Sequence, residues 1–269
     1  MQIHRANPVP SLPQRLLGVW AHPDDEAYLS SGLMAEVVAR GGEVTVVVVT
    51  DGELGFGDDD PRPVDDRSLL RRAEMRAAMA TIGVNDVRFL GVPDGRVART
   101  GSEVLVAPLV EIMTEVQPDL TATFGPEGIT GHDDHIATGH AVTAAWLDHG
   151  GGALVYATHS SEFLAQWRTM HDEIGIWMTG EPDGCDAVDL ELVVSLPHAA
   201  LDRKRAVLAC HGSQTAGLAA AVGEARYREW IAREFFRRPT WTELSAAVVA
   251  RSLGIGWETL ARREMAAVA

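Results

Sequence analysis

Leu16-Leu17-Gly18-Val19-Trp20 is an apolar run, followed by His22-Pro23-Asp24-Asp25-Glu26 and then by the helix-like stretch 27–40. The run reads as a fully buried strand. A strand therefore ends where a helix begins, and one imidazole and three carboxylates meet at that corner. In open α/β sheets, ligands bind beyond the carboxyl ends of strands. Zinc and similar cations take imidazole and carboxylate ligands together. A helix start favours one or two acids through its macrodipole, but that does not account for a histidine and three acids. The corner reads as a metal site.

Working outward, the pattern repeats. Strands are expected at 44–50, 87–92, 120–124 and 154–158, with helices at 67–82, 104–116 and 135–147. Alternation of this kind predicts a parallel sheet with helices on both faces. The expectation is an α/β, Rossmann-like, mostly parallel sheet. After 158 the rhythm changes: a strand at 187–194, then helices at 197–209, 224–237 and 241–253. The 269 residues are read as one domain, with 219–269 a helical C-terminal extension. The polar loop 52–66 is expected to be solvated, with a lid over the first corner as the functional alternative.

Bulk properties exclude several classes. The formal charge of −15 argues against nucleic acid and anionic membranes. Cys185 and Cys210 are too few for a disulfide framework and are expected to be reduced. The first residues are polar and proline-rich, unlike a signal peptide, and no apolar run approaches membrane-spanning length. A cytoplasmic protein is expected. No G-x-G-x-x-G follows the first strand and no P-loop is present, so a nucleotide cofactor is not expected.

A second cluster, Gly131-His132-Asp133-Asp134-His135, follows the fourth strand. In a helix begun near Asp133, His132 and His135 face the same way. Asp134 is placed to bond the free nitrogen of a ring behind the ligands. Together the clusters supply His22, Asp25 and His135 as a three-ligand site with an open position, the pattern of catalytic zinc. Asp24 remains as general base, and His132, as imidazolium, as oxyanion stabiliser and acid. This set suits metal-assisted hydrolysis of an amide.

His-Pro-Asp-Asp-Glu after a first strand, with His-x-Asp-His downstream, resembles the LmbE/PIG-L family of zinc-dependent N-deacetylases. Arg71-Arg72-Ala73-Glu74, Leu90-Gly91-Val92-Pro93-Asp94-Gly95 and His211-Gly212-Ser213-Gln214 resemble its other landmarks, so the likeness covers about 16–214. It implies one zinc ion on His22, Asp25 and His135, Asp24 as base, His132 steadying the tetrahedral intermediate, and Arg71 and Asp94 on sugar hydroxyls. The implied substrate is a small N-acetylglucosamine conjugate. Two departures stand out: Asp133 replaces the family's common proline, and Thr130 stands where some thiol-pathway relatives have tyrosine. The rival readings are an amidase for a larger acyl group and a non-catalytic metal- or sugar-binding module.

Weaker signals complete the set. His159 and His211 are candidate substrate-binding residues. Glu26 is expected to bond backbone N–H groups at its helix start. His140, His149, His171 and His198 are expected at the surface or in turns. Trp230, Trp241 and Trp257 are expected in the core or a subunit interface, compatible with a homo-oligomer.

Overall fold

The computed structural model describes residues 2–4 and 12–252. Eight strands form one sheet among these residues: β1 (Gln2–His4), β2 (Arg15–Trp20), β3 (Glu43–Thr50), β4 (Asp86–Val92), β5 (Leu120–Phe124), β6 (Ala153–Thr158), β7 (Leu190–Ser195) and β8 (Arg233–Arg237). Their order is β1-β7-β8-β6-β5-β2-β3-β4. The pairings from β4 across to β6 are all parallel. Those joining β6, β8, β7 and β1 are antiparallel.

The sheet is buried on both faces because its strands alternate apolar side chains between two cores. Leu16, Trp20, Val46 and Val48 pack with Leu33, Met75 and Val207 on one side. Leu17, Val19, Val47 and Val49 pack with Leu109, Ala137 and Ala141 on the other. This is the near-continuous β-branched signature of a parallel sheet covered by helices.

The topology places the functional corner. From β2 the chain builds outward to β3 and β4 on one side; β5 then returns to the other flank of β2 and leads to β6. The strand order reverses between β2 and β5, leaving a crevice beyond their carboxyl ends. The two histidine clusters follow these two strands. The helix Asp133–His149 sits hard against β5: a Cβ on Gly139 would stand 2.6 Å from the Phe124 carbonyl oxygen.

Several expected elements differ. The helix expected over 27–40 is two helices, Asp25–Leu29 and Ser31–Ala39, broken at Ser30 (φ −149°, ψ −2°). The break has a cause: Gly32 and Leu33 donate their N–H groups to Glu234 at 2.7 and 2.9 Å, so a carboxylate from β8 caps the second helix. The stretch expected as a helix over 224–237 divides into the helix Glu224–Trp230 and strand β8, which inserts between β6 and β7. The helices Ser161–Ile174 and Gly212–Val222, and strand β1, were not expected. His140 and His171 are buried, not at the surface. Trp230 is buried while Trp241 is 83% exposed; Trp257 lies outside the described residues.

Candidate active site

Asp24 is the first irregularity at the corner. Its φ of 123° is positive, which a residue with a Cβ rarely adopts, and it immediately precedes the helix Asp25–Leu29. Such backbone strain persists only where surrounding bonds hold it. Here the Asp24 N–H donates to Glu26 Oε2 at 3.0 Å, and the Asp24 carbonyl accepts from Ala27 and Tyr28 at 3.0 and 3.1 Å. Glu26 thus bonds backbone at its helix start, as expected.

The strained turn aims neighbouring side chains at a common point. His22 Nδ1 and His135 Nε2 are 3.2 Å apart. Asp25 Oδ1 is 3.3 Å from His135 Nε2, and its Oδ2 is 3.6 Å from His22 Nδ1. Tetrahedral zinc, with metal–ligand distances near 2.0–2.1 Å, would separate its ligand atoms by about 3.3 Å. The three expected ligands therefore fit one small divalent cation. His135 Nδ1 lies 3.0 Å from the Gly128 carbonyl, which takes its proton and leaves Nε2 free for a ligand. Its ring stacks on Phe124, with centroids 4.2 Å apart.

Behind His22 stand two more carboxylates. Asp94 Oδ1 and Asp134 Oδ2 lie 3.1 and 3.5 Å from its Nε2. Asp94 also accepts from the Leu54 N–H, and Asp134 from the Gly95 and Val97 N–H groups. A grouping of His22, Asp94 and Asp134 lies close enough to hold an ion. Its two carboxylates are already engaged by backbone donors, so we assign them to orienting the His22 ring. Asp134 supports the ring from the other motif, not a ring of its own. Asp94 has one partner on each oxygen and also lines the cavity.

Charge balance at the site follows from these distances. Burial pulls the His22 imidazole down, but Asp134, Asp25 and Asp94 outweigh it and hold its pKa well above the ordinary range. The cluster thus attracts a proton or, in its place, a metal cation. Burial would raise the Asp25 carboxyl, but His135 and His22 hold it well below the usual carboxylate range. Burial pushes His135 down to about 4, against the pull of Asp25. At neutral pH both groups are in the deprotonated forms that bind metal.

Asp24 stands beside the ligands. Burial raises its pKa to about 6, against the nearby Arg71 guanidinium at 3.2 Å. Arg71 is 3% exposed and also donates to the Gly52 and Pro23 carbonyls, while its buried Nε has no partner among the described residues. It fixes the Asp24 carboxylate and the loop after β3, and it lines the cavity.

His132 caps the helix Asp133–His149: its Nδ1 accepts the Asp134 N–H at 3.0 Å. An accepting Nδ1 carries no proton, so the ring is neutral and its hydrogen is on Nε2. Burial, followed by the His22 charge, also lowers its pKa. The imidazolium expected to act on the oxyanion is thus not the form this cap favours. The ring centroids of His22 and His135 lie 4.8 and 5.0 Å from that of His132.

His211 is fully buried, with Nε2 2.8 Å from Glu26 Oε1. Burial lowers its pKa, but Glu26 outweighs this and the pKa ends raised. It does not touch the cavity and is not placed to bind substrate. Through Glu26 it reaches the Asp24 backbone, a link that sequence spacing does not disclose. Glu74 accepts from the Ser213 N–H and hydroxyl at 2.8 and 2.6 Å. The motifs at 71–74 and 211–214 thus both buttress the first corner. His159 does line the cavity; its ring stacks on Phe163, and burial followed by His171 pushes its pKa down to about 3.

These groups open into one cavity of about 550 Å3, within the range of small-molecule sites. The loop after β3 contributes Leu54 and Gly55 to it, so its first residues do border the site. No helix among the described residues is long and apolar enough to cross a membrane.

Comparison with known proteins adds the family. The family model described as GlcNAc-PI de-N-acetylase (PIG-L) matches residues 17–146. The chain is 29% identical over 225 residues to a 1D-myo-inositol 2-acetamido-2-deoxy-alpha-D-glucopyranoside deacetylase of Corynebacterium diphtheriae, covering 74% of this chain and 76% of that one. It is 31% identical over 201 residues to the protein of the same description in Corynebacterium glutamicum, covering 66% and 68%. In structure it resembles the N,N'-diacetylchitobiose deacetylase of Pyrococcus horikoshii: TM-score 0.54, 21% identity, 75% of this chain and 71% of that one. With the corner at the β2–β5 crevice and these likenesses taken together, the chain belongs to the PIG-L (LmbE) family of deacetylases.

Proposed function

We propose that this protein hydrolyses the N-acetyl amide of a small N-acetylglucosamine-containing conjugate, releasing acetate and a free amine. The observation that carries the reading is the triangle of His22 Nδ1, His135 Nε2 and Asp25 oxygens, with sides of 3.2 to 3.6 Å, beside an independently anchored carboxylate, Asp24. His22, Asp25 and His135 would hold one divalent ion per chain, and we assign zinc from the mixed nitrogen and oxygen donors. When bound, such an ion supplies Lewis acidity to the amide carbonyl and to water.

The protein's own groups do the proton work. Asp24 takes a proton from the attacking water as general base. Neutral His132 donates a hydrogen bond through Nε2–H to the developing oxyanion. A neutral imidazole has no spare proton for the departing nitrogen, whereas Asp24 has just acquired one. Asp24 is therefore both base and acid, with Arg71 holding it in place. A binding module would have no use for a strained, anchored carboxylate at this spot, which disfavours the non-catalytic alternative. Cys185 and Cys210 are both free thiols, in keeping with a cytoplasmic setting.

The test is turnover of N-acetylglucosamine conjugates, read as acetate and primary amine by mass spectrometry, with zinc measured in the same samples. Asp24→Asn should abolish turnover while zinc stays bound, and His135→Ala should lose both. Near-normal turnover by Asp24→Asn would remove the base assignment.

A further inference from the structure

The cavity has two unlike halves. Its chemical half consists of His22, Asp24, Asp25, Arg71, His132 and His135, all within the 17–146 stretch matched by the family model. Most of its other wall comes from later residues: Phe163, Ile176, Met178, Leu218, Trp230 and Phe235. These are carried by the helix Ser161–Ile174, the loop after it, the helix Gly212–Val222 and the segments around β8. They are apolar side chains facing a space larger than one acetamido sugar fills.

Two observations suggest that this wall meets a ligand. First, Leu54 and Met178 are 60% and 65% exposed, and both border this cavity from different loops. Large apolar side chains grouped around the opening of a catalytic cavity are a recognised mark of ligand contact. Second, the carboxylate on that side is already committed, and the guanidinium there lies against aromatic rings. Glu234 has its oxygens bonded to Gly32, Leu33 and Lys204. Arg233 bonds Gln166 and lies over the rings of Phe163 and Phe235. A polyol such as an inositol needs several donors and acceptors, and an unmatched hydroxyl loses its hydrogen bonds to water on burial. An alkyl or aryl group does not have that need.

We propose that the substrate is an amino-sugar amide carrying an extended apolar group, and that this group lies along the wall formed by Phe163, Ile176, Met178 and Leu218, with Leu54 at the rim. The proposal rests on the hydrolase reading above and narrows its substrate class. The apolar group has two sources, the aglycone or the acyl chain of the scissile amide.

Two substrate series separate them. One comprises methyl, butyl, hexyl and phenyl glycosides of N-acetylglucosamine, as both anomers. The other comprises methyl glycosides of glucosamine with acetyl, butanoyl and hexanoyl amides. Each methylene that enters an apolar wall is worth about fourfold in kcat/KM. We expect at least a tenfold rise from the shortest to the longest member in one series, which then identifies the source. Met178→Asp and Leu54→Asp should cut the long-to-short ratio about fivefold or more. Turnover of the methyl glycoside with no rise in either series would overturn the proposal and leave the hydrolase reading standing. If nothing is hydrolysed, the hydrolase reading is the part that fails. Calorimetric affinities of the zinc-loaded protein for the same compounds then decide the wall: rising with chain length they support it, flat they overturn it.

Discussion

Glu26 is the residue through which the strained backbone of Asp24 is tested most directly. It is fully buried, with one oxygen on the Asp24 N–H and the other on His211 Nε2. In Glu26→Ala both partners lose their acceptor. A hydrogen bond to a charged group contributes about 1.5–3 kcal/mol, and a positive φ at a non-glycine residue costs about 1–3 kcal/mol. The lost bond is thus as large as the strain it opposes, so the Asp24 turn relaxes in much of the population. At about 1.4 kcal/mol per tenfold in rate, kcat should fall about 10- to 100-fold. Glu26→Gln differs in kind. Its carboxamide oxygen can keep the Asp24 N–H while its NH2 donates to an unprotonated His211 Nε2. Charge-assisted bonds are roughly twice as strong as neutral ones, so about 1 kcal/mol is lost and kcat should fall about fivefold. The assay is steady-state turnover with bound zinc measured in parallel, giving the order wild type, Gln, Ala. Unchanged kcat in Glu26→Ala would refute the reasoning. Loss of zinc in step with activity would also refute it, because Glu26 would then be acting on the ligand Asp25.

Further outcomes follow from other contacts. Asp94→Asn turns an amide NH2 toward His22 Nε2–H or toward the Leu54 N–H; zinc affinity measured by chelator competition should drop about 10- to 100-fold, whereas a residue that bound only sugar would raise KM and leave the affinity alone. Lys204→Met strands the buried Glu234 carboxylate, whose pairing distance to Lys204 Nζ is 2.7 Å, and should cost about 3–5 kcal/mol in urea unfolding; pairing it with Glu234→Gln should cost less than the sum of the two single changes. His159 has a folded pKa of about 3 against about 6.5 unfolded. The unfolded chain binds the extra proton, so this contribution to stability is complete above pH 6.5 and is lost as pH falls toward 3. It amounts to at most about 4–5 kcal/mol. Relative to His159→Phe, the wild type should therefore lose stability between pH 6.5 and 4, and a pH-independent difference would show that the ring is not held neutral.

Much of the fold was legible because it depends on local pattern. The β-branched run at 44–50 and the apolar run at 120–124 have the length and composition of buried parallel strands, and they are β3 and β5. The two histidine clusters were legible as one site because each follows a strand, and the sheet places those strands side by side. What escaped was set by distant partners. Ser30-Ser31-Gly32 is only a weak local signal of a break; the carboxylate that caps the second helix is about two hundred positions away. The strand at the end of 224–237 was read as helix because its Arg-Glu-Phe-Phe-Arg sequence has little β-branched content, and it is a strand because β6 and β7 both offer it an edge. The His132 tautomer is not legible in sequence, because which ring nitrogen accepts a backbone proton is a matter of cap geometry. The helix Ser161–Ile174 was missed despite readable signals: Ser160 accepts the Phe163 N–H at its start, Gly175 in the left-handed region ends it, and Phe163, Leu164, Trp167, Met170 and His171 form its buried stripe.

The capping of Gly32 and Leu33 by Glu234 also bears on how the chain assembles during translation. A growing polypeptide that has not reached position 234 carries the start of that early helix without its anion, and the corner just before it lacks the brace on its downstream side. The ribosome releases the catalytic segment long before the residue that secures it. The native cap of the earliest chemistry-bearing segment thus joins it to one of the later strands, a contact of large sequence separation.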